Sequence, residues 1–321
     1  MSIQVSAVVC THNRAGYLRK ALQSLTAQTL DPASYEVLVV DNASTDNTRK
    51  VFDEFADRPN WRYLYEPVIG LSRARNTGWH NAHGEYVAYL DDDAVACHDW
   101  LAKLLEAFET IGPRPGCVGG RCLPEWEAPQ PAWLSDNLLI AFSIFHYADR
   151  PIIVSGQQFL SGCNIAYPRN VLQALGGFRE DLGRHGTNLL SNDESYLRWQ
   201  LDAHGYCSVY HPEALVLHHI PASRLTKKWF RDRAFWQGVS DANMLYSQGR
   251  LPFFLRIGLT IKKAIWGLVR LGLRLVATSS AIRFKRQMQL SETAGFVSGL
   301  WRRGLPEATA QIVESKPLAR W

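Results

Sequence analysis

The ten residues Gly84-Glu85-Tyr86-Val87-Ala88-Tyr89-Leu90-Asp91-Asp92-Asp93 constrain the fold of this chain more than any others. An apolar, β-branched and aromatic run that stops at three acids reads as a buried strand delivering carboxylates to the carboxyl edge of a sheet, where α/β folds place their ligands. Three adjacent carboxylates repel and raise one another's pKa values unless a cation sits among them. All-oxygen donors suit a hard ion such as Mg²⁺ or Mn²⁺. An ion held by one or two carboxylates with open positions is how proteins grip a pyrophosphate. A solvated acidic loop is the competing explanation, and the rest of the chain weighs against it.

Val5-Ser6-Ala7-Val8-Val9-Cys10 predicts a first strand, with a helix pattern through Leu18, Ala21, Leu22 and Leu25, and Tyr35 to Val40 a second strand ending at Asp41-Asn42-Ala43-Ser44-Thr45-Asp46. Two strands ending in polar residues imply a parallel sheet with one working edge and put Thr11 beside Asp41 in space. Arg62 to Tyr65 reads as a short strand, and Gly70 to Gly78 as the start of a helix whose Arg73 and Arg75, beside free backbone N–H groups, suit an anion. A helix through Leu104, Leu105 and Phe108 leads into a Pro- and Trp-rich stretch, Pro124 to Trp133, which is either a lid or acceptor loop or irregular packing. Phe159 to Tyr167 is strand-like.

A second acid cluster follows in Ser191-Asn192-Asp193-Glu194, where Ser191 or Asn192 caps a helix carrying both acids in its first turn. The helix dipole alone favours that placement, yet the same helix end would hold a general base rigidly. Leu215-Val216-Leu217-His218-His219 predicts a last strand running out into paired histidines beside the acidic edge.

The 321 residues suffice for a substantial core, and 46% hydrophobic with 20% charged residues exclude a disordered chain. A net charge of +5 and a pI near 8.9 are too mild to imply a nucleic-acid partner without a concentrated patch. Six dispersed cysteines form no zinc-type double pair and read as reduced, mostly buried thiols. Met1-Ser2-Ile3-Gln4 lacks the basic segment of a secretory signal, so a cytoplasmic protein is expected.

Val9-Cys10-Thr11-His12-Asn13-Arg14, Val40 to Asp46, Gly70 to Asn76, Tyr89 to Asp93 and Asn192-Asp193-Glu194, taken in order, resemble the inverting family-2 glycosyltransferases over about the first two thirds of the chain. The resemblance implies an α/β, Rossmann-like nucleotide-sugar fold of the A type with a helical extension. Residues 1–222 read as the catalytic domain (1–118 the nucleotide-sugar half, 119–222 the acceptor half), and the change of pattern after Pro221 marks 223–321 as a basic amphipathic helical region. The resemblance implies that Thr11, Asn13 and Arg14 line the nucleotide pocket and that Asp41 accepts from the base, usually uracil; Arg73 and Arg75, at their helix start, would serve the phosphates. Asp91 and Asp92 would lie near the ribose and a Mn²⁺ or Mg²⁺ ion, with Asp93 its direct ligand and Asp91 and His218 further candidates. The second acid of the later pair would take the acceptor's proton. The order here is Asp193-Glu194 where Glu-Asp is commoner; spacing to Gly205-Tyr206 puts the base on Glu194, and Asp193 stays open. The implied partners are a nucleoside-diphosphate sugar, expected to be a UDP-sugar, and a glycan or lipid-linked acceptor of cell-surface polysaccharide assembly. A non-catalytic nucleotide-sugar-binding subunit of a membrane assembly complex and a nucleotidyltransferase are the alternatives; neither needs both acid clusters.

From Phe253 to Phe284 a helical pattern puts Arg256, Lys263, Arg270 and Arg274 on one face and Ile257, Ile261, Ile265, Leu268 and Leu275 on the other. These charges exclude a simple transmembrane helix and predict one of two arrangements: a helix in the headgroup region of an anionic leaflet, on the cytoplasmic face of the inner membrane, or a helix packed on the catalytic domain with its basic side in water.

Overall fold

The computed structural model describes residues 3–246, 251–275 and 279–301. The end of the expected 223–321 region beyond Trp301, and residues 276–278 of the expected 253–284 helix, lie outside the described residues. In chain order the elements are β1 (Val5–Thr11), α1 (Ala15–Thr26), β2 (Tyr35–Asp41), α2 (Thr48–Asp53), β3 (Trp61–Tyr65), α3 (Leu71–His80), β4 (Tyr86–Leu90), β5 (Ala94–Ala96), α4 (Trp100–Thr110) and β6 (Pro115–Trp126). They continue with α5 (Asp136–Leu139), β7 (Ile152–Ile153), β8 (Asn164–Pro168), α6 (Arg169–Leu175), α7 (Asp193–Ala203), β9 (Cys207–Ile220), α8 (Lys227–Leu245), α9 (Phe253–Leu275) and α10 (Ser280–Trp301).

One sheet runs in the order β3-β2-β1-β4-β8-β6-β9-β5, with β7 on β9. Its residues alternate between two cores: Val5, Ala7 and Val9 pack with α1 and α4, while Val8, Leu38 and Val40 pack with α3. Helices thus cover both faces, which is why every residue of β2 is buried. β1 to β3 and β4 are parallel, and Thr11 pairs with Asp41 as expected.

Beyond β4 the sheet is mixed, where the sequence predicted a parallel one. β8 runs antiparallel to β4, with Asn164 opposite Leu90. The segment entering β8 therefore arrives at the carboxyl edge of β4, and Asp91 N donates to Cys163 O. This reversal brings Ser161-Gly162-Cys163 to the acids. The strand-like stretch expected from Phe159 is strand only from Asn164.

The Pro- and Trp-rich stretch is largely packing. β6 runs through it to Trp126, and Trp126 and Trp133 lean on a third core of Leu134, Phe142, Ile220, Leu225, Phe230 and Phe284, which joins α8 and α10 to the sheet domain. The single helix expected over 253–284 is two, α9 and α10, and Arg256, Lys263 and Arg270 of α9 face α10, while Lys262 stays exposed.

α8 and α10 approach so closely that a Cβ on Gly295 would lie 1.8 Å from the Phe235 carbonyl oxygen. Gly295→Val should therefore lower stability by about 1–3 kcal/mol, as overpacking does. Chemical denaturation checks it, and an unchanged midpoint would contradict the close helix contact.

Candidate active site

The site lies where β1, β2, β4 and β8 meet the start of α7. β4 ends at Leu90, and a turn closed by Ala94 N on Asp91 O presents the three acids. Thr11 Oγ1, from the end of β1, donates to Asp92 at 2.8 Å, and a single Arg14 nitrogen reaches Asp92 at 2.8 Å and Asp93 at 2.9 Å. His218 Nε2 lies 3.4 Å from Asp93 Oδ1, and Arg224 Nη2 lies 3.4 Å from its other oxygen. Asp92 and Asp93 are thus buried among cations.

The second cluster centres on Arg75, buried in α3. One of its nitrogens is 2.6 Å from Asp193 and 2.8 Å from Glu194, and the other is 3.6 Å from Asp91. The two acids differ in access: the Asp193 side chain is 2% exposed and the Glu194 side chain 21%. Glu194 opens into the cavity while Asp193 lies beneath it, near Ser72 Oγ. The backbone of β8's entry passes so close that a Cβ on Gly162 would lie 1.8 Å from Glu194 Oε1 and 2.3 Å from Arg75 Nη2. A side chain there would displace the Arg75–Glu194 pair.

The expected side-chain cap of α7 is not formed. Asn192 occupies the cap position at φ 79°, but its amide donates to Asp241 and accepts from Gln237, both on α8. Tertiary partners outcompete the local cap, and α7 is tied to the helical extension.

Burial acts to raise both acids of the pair, yet they part. Glu194 is brought down to about 2, because the charge of Arg75 and hydrogen bonds from Asp193 and Arg75 outweigh burial. Asp193 is pushed up to about 7 by burial and by Glu194, against the pull of Arg75. The more accessible carboxylate keeps the charge, as desolvation requires. Burial likewise raises Asp92 over the pull of Arg14. Asp93 falls below the ordinary range because His218, Arg14 and Arg224 outweigh burial. Burial opposes the charge on His218, but Asp93 raises it to about 9.

These groups border a cavity of about 660 Å³, within the size range of small-molecule sites. Thr11, Arg14, Arg75, Asp91, Asp92, Asp193 and Glu194 line it, and Asp93 and His218 stand directly behind Arg14 and Asp92. Besides Asp93 and His218, three further predicted residues do not line it. Arg73 points elsewhere on α3 and pairs with Glu180. Asn13 clamps two loops, its side-chain oxygen accepting from Thr45 N at 2.7 Å. Asp41 is buried, with its oxygens taken by Ser44 N and the Tyr63 hydroxyl. Arg184 and Arg233 also line the cavity and were not singled out by sequence. The glycines flanking 184–185 signal a tight loop there, but nothing local in α8 marks Arg233 as reaching the cavity.

Among the described residues no group of three or more His, Cys, Asp or Glu side chains is arranged to hold a metal. Asp93 and His218 nevertheless fit as two ligands. His218 Nδ1 is bound to Phe142 O at 2.8 Å, which orients Nε2 toward Asp93. To hold a divalent ion, His218 would have to give up its proton and Arg14 to release Asp93.

The profile described as Glycosyl transferase family 2 matches residues 6–176, more than half of the chain, and the chain belongs to this family. A glucosyl-dolichyl phosphate glucuronosyltransferase of Haloferax volcanii is 28% identical over 254 residues, 77% of this chain and 79% of that protein. Succinoglycan biosynthesis protein ExoM of Rhizobium meliloti is 28% identical over 250 residues, 76% of each. Among solved structures, mannosyltransferase PcManGT of Pyrobaculum calidifontis, in complex with GDP-Man and Mn²⁺, has a TM-score of 0.62 at 22% identity, covering 95% of this chain and 89% of that one. S. aureus TarS 1–349 in complex with UDP has a TM-score of 0.52 at 14% identity, covering 93% and 90%. The protein is a glycosyltransferase with the A-type nucleotide-sugar fold and a carboxyl-terminal helical extension.

The split pair has a consequence for stability. Asp193, raised to about 7, favours the folded state fully below its ordinary 3.8, and that contribution is lost as pH rises through about 7. His218 contributes below 6.5 and loses its contribution as pH rises through about 9. The melting temperature of the free protein should therefore fall between about pH 5 and pH 9, and Asp193→Asn should flatten the lower part of that slope. Scanning calorimetry showing a rise over this range would contradict the assignment.

Proposed function

We propose that this enzyme transfers a sugar, with inversion, from a nucleoside-diphosphate sugar to a hydroxyl of a glycan or lipid-linked acceptor in cell-surface polysaccharide assembly, using Glu194 as the base. The observation that carries the reading is Glu194 itself: a carboxylate kept ionised by Arg75, open to the cavity, on the same cavity wall system as the β1 and β4 edge. Asp193, buried and raised, supports Glu194 by hydrogen bonding and is not the base in this reading.

The acceptor hydroxyl attacks the anomeric carbon in line, opposite the diphosphate. Its proton passes to Glu194 as the new C–O bond forms and the bond to the phosphate oxygen breaks. One displacement inverts the anomeric centre. Arg14, Arg184 and Arg233 supply positive charge for the departing diphosphate. A Mn²⁺ or Mg²⁺ ion would be held by Asp93 and His218, with Asp91 nearby, and would neutralise charge on the leaving phosphates. The Mn²⁺ named with PcManGT supports that use. A UDP-sugar is the donor we propose, supported by the UDP named with TarS; the GDP-Man named with PcManGT makes GDP-sugars the control set. The printed names of the Haloferax and Rhizobium relatives support a lipid-linked or polysaccharide acceptor.

Incubation with UDP- and GDP-sugars and Mn²⁺, reading nucleoside diphosphate release, tests the activity. Glu194→Gln should lower kcat by about a hundredfold or more with donor affinity kept. Full loss in Asp193→Asn alongside near-normal turnover in Glu194→Gln would make Asp193 the base. His218→Ala should raise the Mn²⁺ concentration that half-saturates calorimetric UDP binding by about tenfold or more. Unchanged Mn²⁺ dependence would remove His218 from the metal site.

A further inference from the structure

α9 is turned inside out for a helix packed on a protein in water. Its charged side faces the molecule: Lys263 Nζ lies 4.3 Å from the centre of the Phe296 ring, the Arg256 guanidinium lies 5.4 Å from that of Trp301, and Arg270 donates to Thr293 Oγ1 at 2.9 Å. Its outer side carries Phe254, Ile261, Ile265 and Leu268 at helical spacing, with Phe254 83% and Leu268 70% exposed and Trp266 beside them. A contiguous exposed apolar face of this kind marks an interaction surface. The long stems of the inward basic residues cover α10 while their charged heads keep polar or aromatic partners.

The geometry points to α9 as an in-plane anchor that sinks its Phe254-Ile261-Ile265-Leu268 face into the interface of an anionic lipid membrane. Charge selects this occupant. α9 holds five basic residues (Arg256, Lys262, Lys263, Arg270, Arg274) and no acid, and α10 adds Arg283, Lys285 and Arg286 against Glu292 alone. Arg256, Lys263 and Arg270 are held inward, and the exposed Lys262 and Lys285 present the remainder of that excess to anionic headgroups. A second copy of the chain would set like charge against like across the same face. Among the described residues no helix is long and apolar enough to cross a membrane, so the helix lies in the interface plane. Lys262 and Lys285 are exposed and available to the headgroups. The inference goes beyond the transfer reaction and does not depend on it. It adds a location for the cavity, because Met288 and Glu292 of α10, the helix beneath α9, line the cavity wall.

Sedimentation of the full chain with phosphatidylcholine vesicles, with and without phosphatidylglycerol, tests the anchor. The wild type should bind, more tightly to the anionic vesicles and less tightly as salt rises. The triple variant Ile261→Glu, Ile265→Glu and Leu268→Glu, at exposed positions, should lose affinity for both vesicle types by about tenfold or more. Lys262→Gln with Lys285→Gln should lose only the anionic preference. Should the triple variant lose its circular dichroism, Leu268→Asn alone should weaken binding measurably. A wild type that ignores both vesicles overturns the proposal, as does one that instead forms a dimer abolished by the triple variant. Apolar-face variants that bind like wild type overturn it equally.

Discussion

Everything at the site depends on Arg75. Its guanidinium is buried in α3 and meets acids from β4's end and from the first turn of α7, so one side chain fixes the position of two elements far apart in the chain. Removing one partner from such a buried ion group usually costs about 3–5 kcal/mol, because the remaining charges are left uncompensated. The same charge decides which acid of the pair is ionised. Structure and chemistry therefore share one residue, and Gly162 must pass it without a side chain.

A carboxylate held near 2, as Glu194 is, would be a poor proton acceptor in the proposed role, and the other charges of the site bear on that. Four arginines, Arg14, Arg75, Arg184 and Arg233, line the cavity alongside five acids, Asp91, Asp92, Asp193, Glu194 and Glu292. A nucleoside diphosphate brings negative charge into it, which raises the pKa of a nearby carboxylate. Donor binding would thus move Glu194 toward the range useful at neutral pH, as its proposed role as base requires. The acidic-strand cluster, Asp92 and Asp93 with Arg14, Arg224 and His218, is neutralised in the free protein by its own cations.

Much of this was legible in the sequence because it rests on local patterns. The acidic strand end, the Thr11–Asp41 pairing, the α3 helix and the acids opening α7 follow from periodicity and from where polar residues interrupt it. Long-range pairing was not legible. The reversal of β8 is set by partners distant in sequence, and Arg73 and Arg75, two residues apart, differ only in which helix face meets the acids. Arg233 reaches the cavity only because α8 is tied to Ser191 and Asn192 at the start of α7. The amphipathic pattern of α9 was visible, but not which face the protein covers; aromatic rings and hydroxyls on α10 made the basic side the inner one.

The central claim is that Arg75 leaves the proton of the pair on Asp193 and the charge on Glu194. Carboxyl ¹³C NMR of the two side chains, titrated with and without UDP and assigned through Asp193→Asn and Glu194→Gln, reads it directly. The account predicts that Glu194 stays ionised well into the acid range in the free protein, that Asp193 titrates near neutrality, and that UDP shifts Glu194 upward. A Glu194 that takes up its proton before Asp193, or that does not respond to UDP, would contradict it.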